Sequence, residues 1–392
     1  MSVSRRHLLL GSLALPALAK KAPAERPNIL LVLVDGLPAW MLGAYGNREV
    51  RTPNLDRLAQ TGTRLAAHFA CAPAAGPGRA TLLTGRTPMQ LGDAENPAPT
   101  AGALDQLLSG LGYVVQTGDG GAAGRFLDQQ SPGKPFFLTA GFPGLRPPYD
   151  GVPQKYTALY ATSKFETLSL ERAPAPNAQA GREMLRDIIG SMRQAAAAVT
   201  ALDDEVAAML TVLSRKRLLE GTLVVVTSTS GALLGRHGLW GAGDASEPVN
   251  MYEESVATPL IWSWLGHVPA QAVRPEVVSA YDFVPTLCDL LDVSPPAANL
   301  CGRSYLPLVT GRPLPKKLPW RTTVFGHYRN TDMARTDRYK LVLRDGGKGP
   351  GELYDLVADP AEKANQYANQ QFLTVRTSLS QGLSGWKQRY SQ

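Results

Sequence analysis

Few side chains in this 392-residue chain are both reactive in type and placed for chemistry. Asp35 is one. It closes the apolar run Asn28 to Val34, so a strand would deliver its carboxylate at the carboxyl end, where open α/β sheets keep their ligand crevice. With no charged partner evident beside it in the sequence, Asp35 reads as a cap for a nearby backbone N–H. Cys71 and His237 are the other reactive types in neighbouring segments, and with Asp35 they form an alternative reactive set. Ser228 and Ser230 lack the glycine-flanked elbow of an esterase nucleophile. His68, His267 and His327 stand in unrelated segments. Three arginines, Arg79, Arg146 and Arg236, are candidates for binding an anion.

These residues depend on a scaffold that the hydrophobic pattern outlines. The continuous apolar run at Asn28–Val34 predicts a central parallel strand covered on both faces. Pro53 and Gly62 bracket a short helix carrying Leu55 and Leu58. Another helix is expected from near Pro77, and a third over Ala103 to Leu111. Strands are expected at Tyr113 to Gln116, Phe136 to Ala140, Thr222 to Thr227 and Leu260 to Trp264, with a helix over Tyr281 to Leu291. Apolar residues at helical spacing predict one long helix over Arg182 to Arg217. Such alternation indicates a doubly wound, mostly parallel sheet flanked by helices. After about residue 313 short strands near 323, 339 and 352 precede a helix from about Gln371, which reads as a small antiparallel sheet with one covering helix. The domain expectation is therefore 20–312 for the α/β unit and 313–392 for the C-terminal unit.

Residues 1–19 read as an export signal. Arg5-Arg6 precede an apolar run reaching Leu18, and Ala17-Leu18-Ala19 supplies small residues for cleavage. The arginine pair is similar to a twin-arginine signal, with the general secretory route as the alternative. The run is far shorter than the ~20 residues that cross a bilayer, so no membrane span is expected and the protein should be periplasmic or secreted. The formal charge of +7 is mild, and two of it belong to Arg5 and Arg6. With the basic residues scattered, nucleic acid is excluded as a partner class. Three cysteines are too few for a disulfide framework; a Cys288–Cys301 pairing is the one considered, with Cys288 in a core helix.

Segments spread along the chain resemble the sulfatases of the alkaline-phosphatase superfamily. They include Thr52-Pro53-Asn54-Leu55-Asp56-Arg57-Leu58, Gly78-Arg79-Ala80-Thr81-Leu82-Leu83-Thr84-Gly85, His237-Gly238-Leu239-Trp240-Gly241 and Tyr252-Glu253-Glu254-Ser255. Asp282-Phe283-Val284-Pro285-Thr286, Arg338-Tyr339-Lys340-Leu341 and Glu352-Leu353-Tyr354-Asp355 continue the series in family order. The resemblance implies an alkaline-phosphatase/sulfatase-like fold. It also implies a nucleophile made by oxidising a Cys or Ser to formylglycine at a helix start, with Ca²⁺ to hold it and the sulfate.

Aligned on Gly78 to Gly85, the implied nucleophile position is Ala75, whose methyl can be neither oxidised nor used for attack. The implied metal positions are Asp35, Gly36, Thr229 and Ser230, which leaves Asp35 as a vestige. Implied sulfate-binding positions are Asp119, Gly121, Arg146 and Ala242. Of the ten positions compared, only Asp35 and Arg79 match the family. The expectation is a pseudo-sulfatase, with neither Ca²⁺ nor formylglycine, that binds a sulfated or anionic glycan or another protein through the old crevice. Its alternative is an active hydrolase built on Cys71, Asp35 and His237.

Overall fold

The computed structural model describes residues 26–95, 103–145, 147, 149, 151–171, 173–314 and 319–391. The expected signal over 1–19 and the candidate Arg146 both lie outside the described residues. In chain order the first half comprises β1 (Asn28–Val34), α1 (Pro53–Gln60), β2 (Thr63–Phe69), α2 (Ala75–Thr84), α3 (Ala103–Gly110), β3 (Val114–Gly118), α4 (Gly120–Gln129) and β4 (Phe136–Phe142). Then come α5 (Gln154–Thr157), α6 (Arg182–Arg186), α7 (Ile188–Arg215), β5 (Thr222–Ser228), α8 (Glu253–Val256), β6 (Leu260–Ser263), β7 (Ala272–Ser279), α9 (Phe283–Leu290) and α10 (Leu306–Thr310). The chain closes with β8 (Thr323–Tyr328), β9 (Thr331–Thr336), β10 (Tyr339–Arg344), β11 (Glu352–Asp355) and α11 (Leu373–Tyr390).

The large sheet has the order β3-β4-β1-β5-β6-β2-β7, with β1 parallel to both β4 and β5. Only β6 runs antiparallel, to β5 on one side and β2 on the other. The unbroken apolar run of β1 now has its cause. Leu30, Val32 and Val34 face a core shared with α4 and α7, whereas Ile29, Leu31 and Leu33 face Leu82 of α2 and Phe283 and Leu287 of α9. Successive side chains of a strand point to opposite faces, so a strand between two helical layers must be apolar at every position.

Helix α1 is anchored from a distance. Its N-cap Thr52 makes no side-chain cap bond to the helix. Instead the fully buried Asp203 of α7 accepts from the N–H groups of Leu55 (2.7 Å) and Asn54 (3.1 Å). A carboxylate at a helix start satisfies otherwise orphaned donors and opposes the positive end of the helix dipole.

The small sheet is antiparallel in the order β11-β10-β9-β8. Helix α11 covers it with Leu379, Leu383 and Trp386, which pack in one cluster with Leu341 and Leu353. The rings of Phe325 and Trp386 stack with centroids 5.4 Å apart.

The structure departs from the sequence expectations in several places. The long helix expected over Arg182 to Arg217 is broken at Asp187, whose backbone leaves helical geometry (φ −130°, ψ 73°) while its side chain caps Gly190 N–H. Helix α2, expected from near Pro77, begins two residues earlier at Ala75. The helix expected from Tyr281 starts as a 3-10 turn, Ala280–Asp282, closed by a capping box between Ser279 and Asp282. Strands β2, β7 and β9 carry charged and polar residues among their apolar ones (His68, Arg274, Glu276, Asp332), which hides the strand pattern. Among the described residues no helix is long and apolar enough to cross a membrane.

Candidate functional site

The carboxyl ends of β1, β4 and β5 and the start of α2 meet at one end of the large sheet. The N–H of Asp35 still belongs to the sheet, donating to Phe142 O at 3.0 Å. Its carboxylate Oδ1 accepts from Arg79 Nη2 and from the Thr229 hydroxyl, each at 2.9 Å. The expected backbone cap is therefore replaced by two side-chain donors. The nearby amides are already committed: Thr229 N–H donates to Val34 O (2.9 Å) and Leu37 N–H to Ser228 Oγ (2.9 Å).

Arg79 arrives from the second turn of α2 because that helix lies directly on the β5 loop. A Cβ on Gly78 would sit 1.9 Å from Thr229 O, so no larger residue fits there. Gly36, at φ +72°, turns the chain away from β1 and contributes no ligand atom. Ser230 is buried, and its carbonyl lies 2.7 Å from Ser228 Oγ. Ala75 is the first residue of α2, 8% exposed, and Ala74 before it gives no side-chain cap.

The electrostatics of this edge are those of a closed pair. Asp35 and Arg79, with side chains 22% and 32% exposed, neutralise one another. The remaining implied metal positions hold a glycine and two hydroxyls, so the donor set does not fit a divalent cation that needs several anionic oxygens. Asp119, at an implied sulfate-binding position, is the N-cap of α4 and accepts from Ala122 N–H at 2.7 Å. At Ala242 only the backbone is engaged, with its carbonyl accepting from Asn250 Nδ2 at 2.9 Å.

His237 belongs to a second, denser cluster. Its Nε2 lies 3.2 Å from Glu254 Oε2, and its ring stacks on Tyr252 with centroids 3.8 Å apart. Arg236 donates to the other oxygen of Glu254 (3.1 Å) and to Leu168 O, and its guanidinium sits over the Trp40 ring at 4.2 Å. Burial acts to raise the Glu254 carboxyl, but the hydrogen bond and charge of His237 and the charge of Arg236 outweigh it and bring it to about 2.

Glu362 completes the cluster, and His237, Glu254 and Glu362 each bring one metal-ligating atom within 4.8 Å of the others. A cation of the protein's own already serves this cluster. The buried Lys340 Nζ is 2.8 Å from both Glu362 Oε1 and Glu253 Oε1, and Arg335 reaches Glu253 at 3.0 Å. Glu362 Oε2 accepts from Glu253 N–H at 2.6 Å.

Cys71 lies apart from both clusters. It is buried with Tyr281, Leu341 and Trp386 under the small sheet, and its carbonyl accepts from His327 N–H at 2.8 Å. Burial, then the neighbouring Cys301, pushes its thiol well up, away from the thiolate form. Cys71, Asp35 and His237 thus have separate partners, and none is hydrogen-bonded to another. All three cysteines are free, so the considered Cys288–Cys301 pair is not bonded.

Sequence reasoning missed the Glu253–Lys340–Glu362 group. A lysine flanked by Tyr339 and Leu341 in an apolar strand was the available signal, since a buried ammonium requires carboxylates around it.

A mostly parallel sheet between helical layers, with a carboxylate at a strand end facing a helix start, is the frame of the alkaline-phosphatase superfamily. The chain belongs to the sulfatase family: the sulfatase profile matches residues 27–121 and 122–293. The profile of the N-sulphoglucosamine sulphohydrolase C-terminal region matches residues 246–389. Human arylsulfatase A is 27% identical over 90% of this chain and 86% of its own length. N-acetylglucosamine-6-O-sulfatase of Bacteroides thetaiotaomicron is 22% identical over 97% of this chain and 89% of its own. Human arylsulfatase D is 51% identical, but over a stretch that is 20% of this chain and 13% of that protein. A solved structure in complex with its substrate, D-glucosamine-2-N,6-O-disulfate, superposes with a TM-score of 0.79 at 20% identity, covering 93% of this chain and 98% of that one. Phosphonate monoester hydrolase of Agrobacterium radiobacter follows at 0.76 and 20%, covering 93% and 96%.

Proposed function

We propose that this protein is a catalytically inactive member of the sulfatase family that binds a sulfated or otherwise anionic glycan without turning it over. The observation that carries the reading is Ala75 at the first position of α2. At the helix start where the family resemblance implies an oxidised Cys or Ser, this chain has a methyl group. The neutral Asp35–Arg79 pair supports the same reading, because an electrostatic site for a transferring group needs net positive charge from a metal or free cations. Removing one member of a cooperative catalytic unit costs up to about six orders of magnitude in rate, and here several positions differ together.

The glycan class is supported by the relatives' names and by the arginines that keep some exposure. Arg79 and Arg236 have side chains 32% and 23% exposed, so each can share its charge with a ligand anion while holding its carboxylate. We further place the protein in the periplasm or outside the cell, on the Arg5-Arg6 signal, and the boundary between its two units near residue 313. Two measurements on the purified protein test the functional reading. Hydrolysis of an aryl sulfate should be absent and unchanged by a chelator. Binding to an array of sulfated glycans should be detectable and should weaken as salt is raised. Chelator-sensitive turnover, or an array without signal, would overturn the corresponding half of the proposal.

A further inference from the structure

At the end of the large sheet opposite the crevice, where β5 begins, a cavity of about 330 Å³ opens between α1, α7 and the strand ends. Leu58, Leu210, Leu219 and Val224 form its apolar wall. Leu265, which also lines it, is 41% exposed. The threonine hydroxyls of the lining are already used. Thr61 Oγ1 lies 3.0 Å from Ser263 Oγ, Thr211 donates to Ala207 O and Thr222 to Leu218 O. Among the described residues Arg57 is the only charged side chain lining the cavity, and it has no ion pair there. Such a cavity matches the general character of small-molecule sites, apolar walls with few polar groups to fix orientation, and falls at the small end of their ~300–1,000 Å³ range. At ~30 Å³ per water its volume equals about eleven waters.

We propose that this cavity binds an amphiphilic monoanion: a flexible apolar chain of about ten heavy atoms against Leu58, Leu210 and Val224, with its anionic head on Arg57. The head is set by charge complementarity, since the lining holds one uncompensated cation and no carboxylate. The site shares no residue with the crevice and stands or falls independently of the sulfatase reading.

Calorimetric titration of the full chain with decanoate, and separately with decanol, tests it. Wild-type protein should bind decanoate more tightly than decanol. Arg57→Gln, at an exposed position, should weaken decanoate about tenfold and leave decanol unchanged. Ala207→Phe, which fills the cavity from α7, should abolish binding of both; Thr211→Phe does the same from an exposed position should the first variant fail to fold. No decanoate binding to wild type, equal loss of both ligands in Arg57→Gln, or full binding retained in a folded cavity-filling variant would each overturn the site.

Discussion

The charge of Asp35 is answered by its immediate neighbours. Its one carboxylate is balanced by one guanidinium from α2 and one hydroxyl from the loop after β5. Hydrogen bonds to charged groups are worth about 1.5–3 kcal/mol when buried, and partial exposure of this pair argues for the lower end. Arg79→Met should therefore cost about 1–2 kcal/mol in a urea titration. Asp35→Asn combined with Arg79→Met should cost less than the sum of the two single changes, by about 0.5–1 kcal/mol. Strict additivity would show that the two side chains are not energetically coupled. At this scale the sequence was informative about identity but not about partners. That Asp35 ends a strand was legible; that Arg79 and Thr229 would be its donors was not, because they come 44 and 194 residues later.

At the scale of elements, the buried group joining α8 to β10 and the segment after β11 is the feature with the largest energetic leverage. Lys340 is fully buried between Glu253 and Glu362. Removing one partner of a buried ion pair leaves an uncompensated charge and costs about 3–5 kcal/mol, the loss expected for Lys340→Met. Glu362 is the pH-sensitive member. Burial raises its carboxyl to about 7, with Lys340 opposing and Glu253 adding to the rise. Glu254, His237, Arg335, Tyr252, Glu352, Arg344 and Tyr354 belong to the same polar neighbourhood.

A carboxyl raised in the folded state binds its proton more tightly there than in the unfolded chain. Its contribution is therefore complete below the ordinary value of 4.5 and is lost as pH climbs toward about 7. Glu253 is shifted the other way: burial is outweighed by Lys340 and Arg335, so its contribution is lost only as pH falls below the ordinary range. The buried His68, lowered to about 3 by desolvation, adds stability over the same range, so the test is the difference: from pH 5 to 7 the melting midpoint of Glu362→Gln should rise relative to that of the native protein. An unchanged slope in the variant would remove Glu362 from the account. Strands such as β1, β4 and β5 were legible in the sequence, since burial on both faces leaves them mostly apolar, with only hydroxyl-bearing residues such as Thr139 and Thr227 among the buried positions. Strands β2, β7 and β9 were not, because each mixes charged or polar residues with its apolar ones.

For the whole molecule, family membership and the proposed loss of its metal site are separate properties, and a calcium titration separates them. The native protein should show no change in melting midpoint with millimolar Ca²⁺. A variant carrying Gly36→Asp, Thr229→Asp and Ser230→Asn restores anionic and amide oxygens beside Asp35 and should gain stability with added Ca²⁺, about 2.7 kcal/mol at a hundred times its dissociation constant. Position 36 will resist, since its left-handed backbone disfavours a side chain. A Ca²⁺-dependent rise in the native protein would show that the cation finds other oxygens.

The order of the large sheet also bears on how this chain is made. Its most apolar strand, β1, emerges first, yet its two neighbours, β4 and β5, are completed only at Phe142 and Ser228. Helix α1 waits in the same way for Asp203, 149 residues further on, to satisfy its first amides. A nascent chain must therefore carry an incompletely paired, sheet-forming hydrophobic segment until Ser228 has been made, the condition under which ribosome-bound intermediates aggregate unless a chaperone shields them.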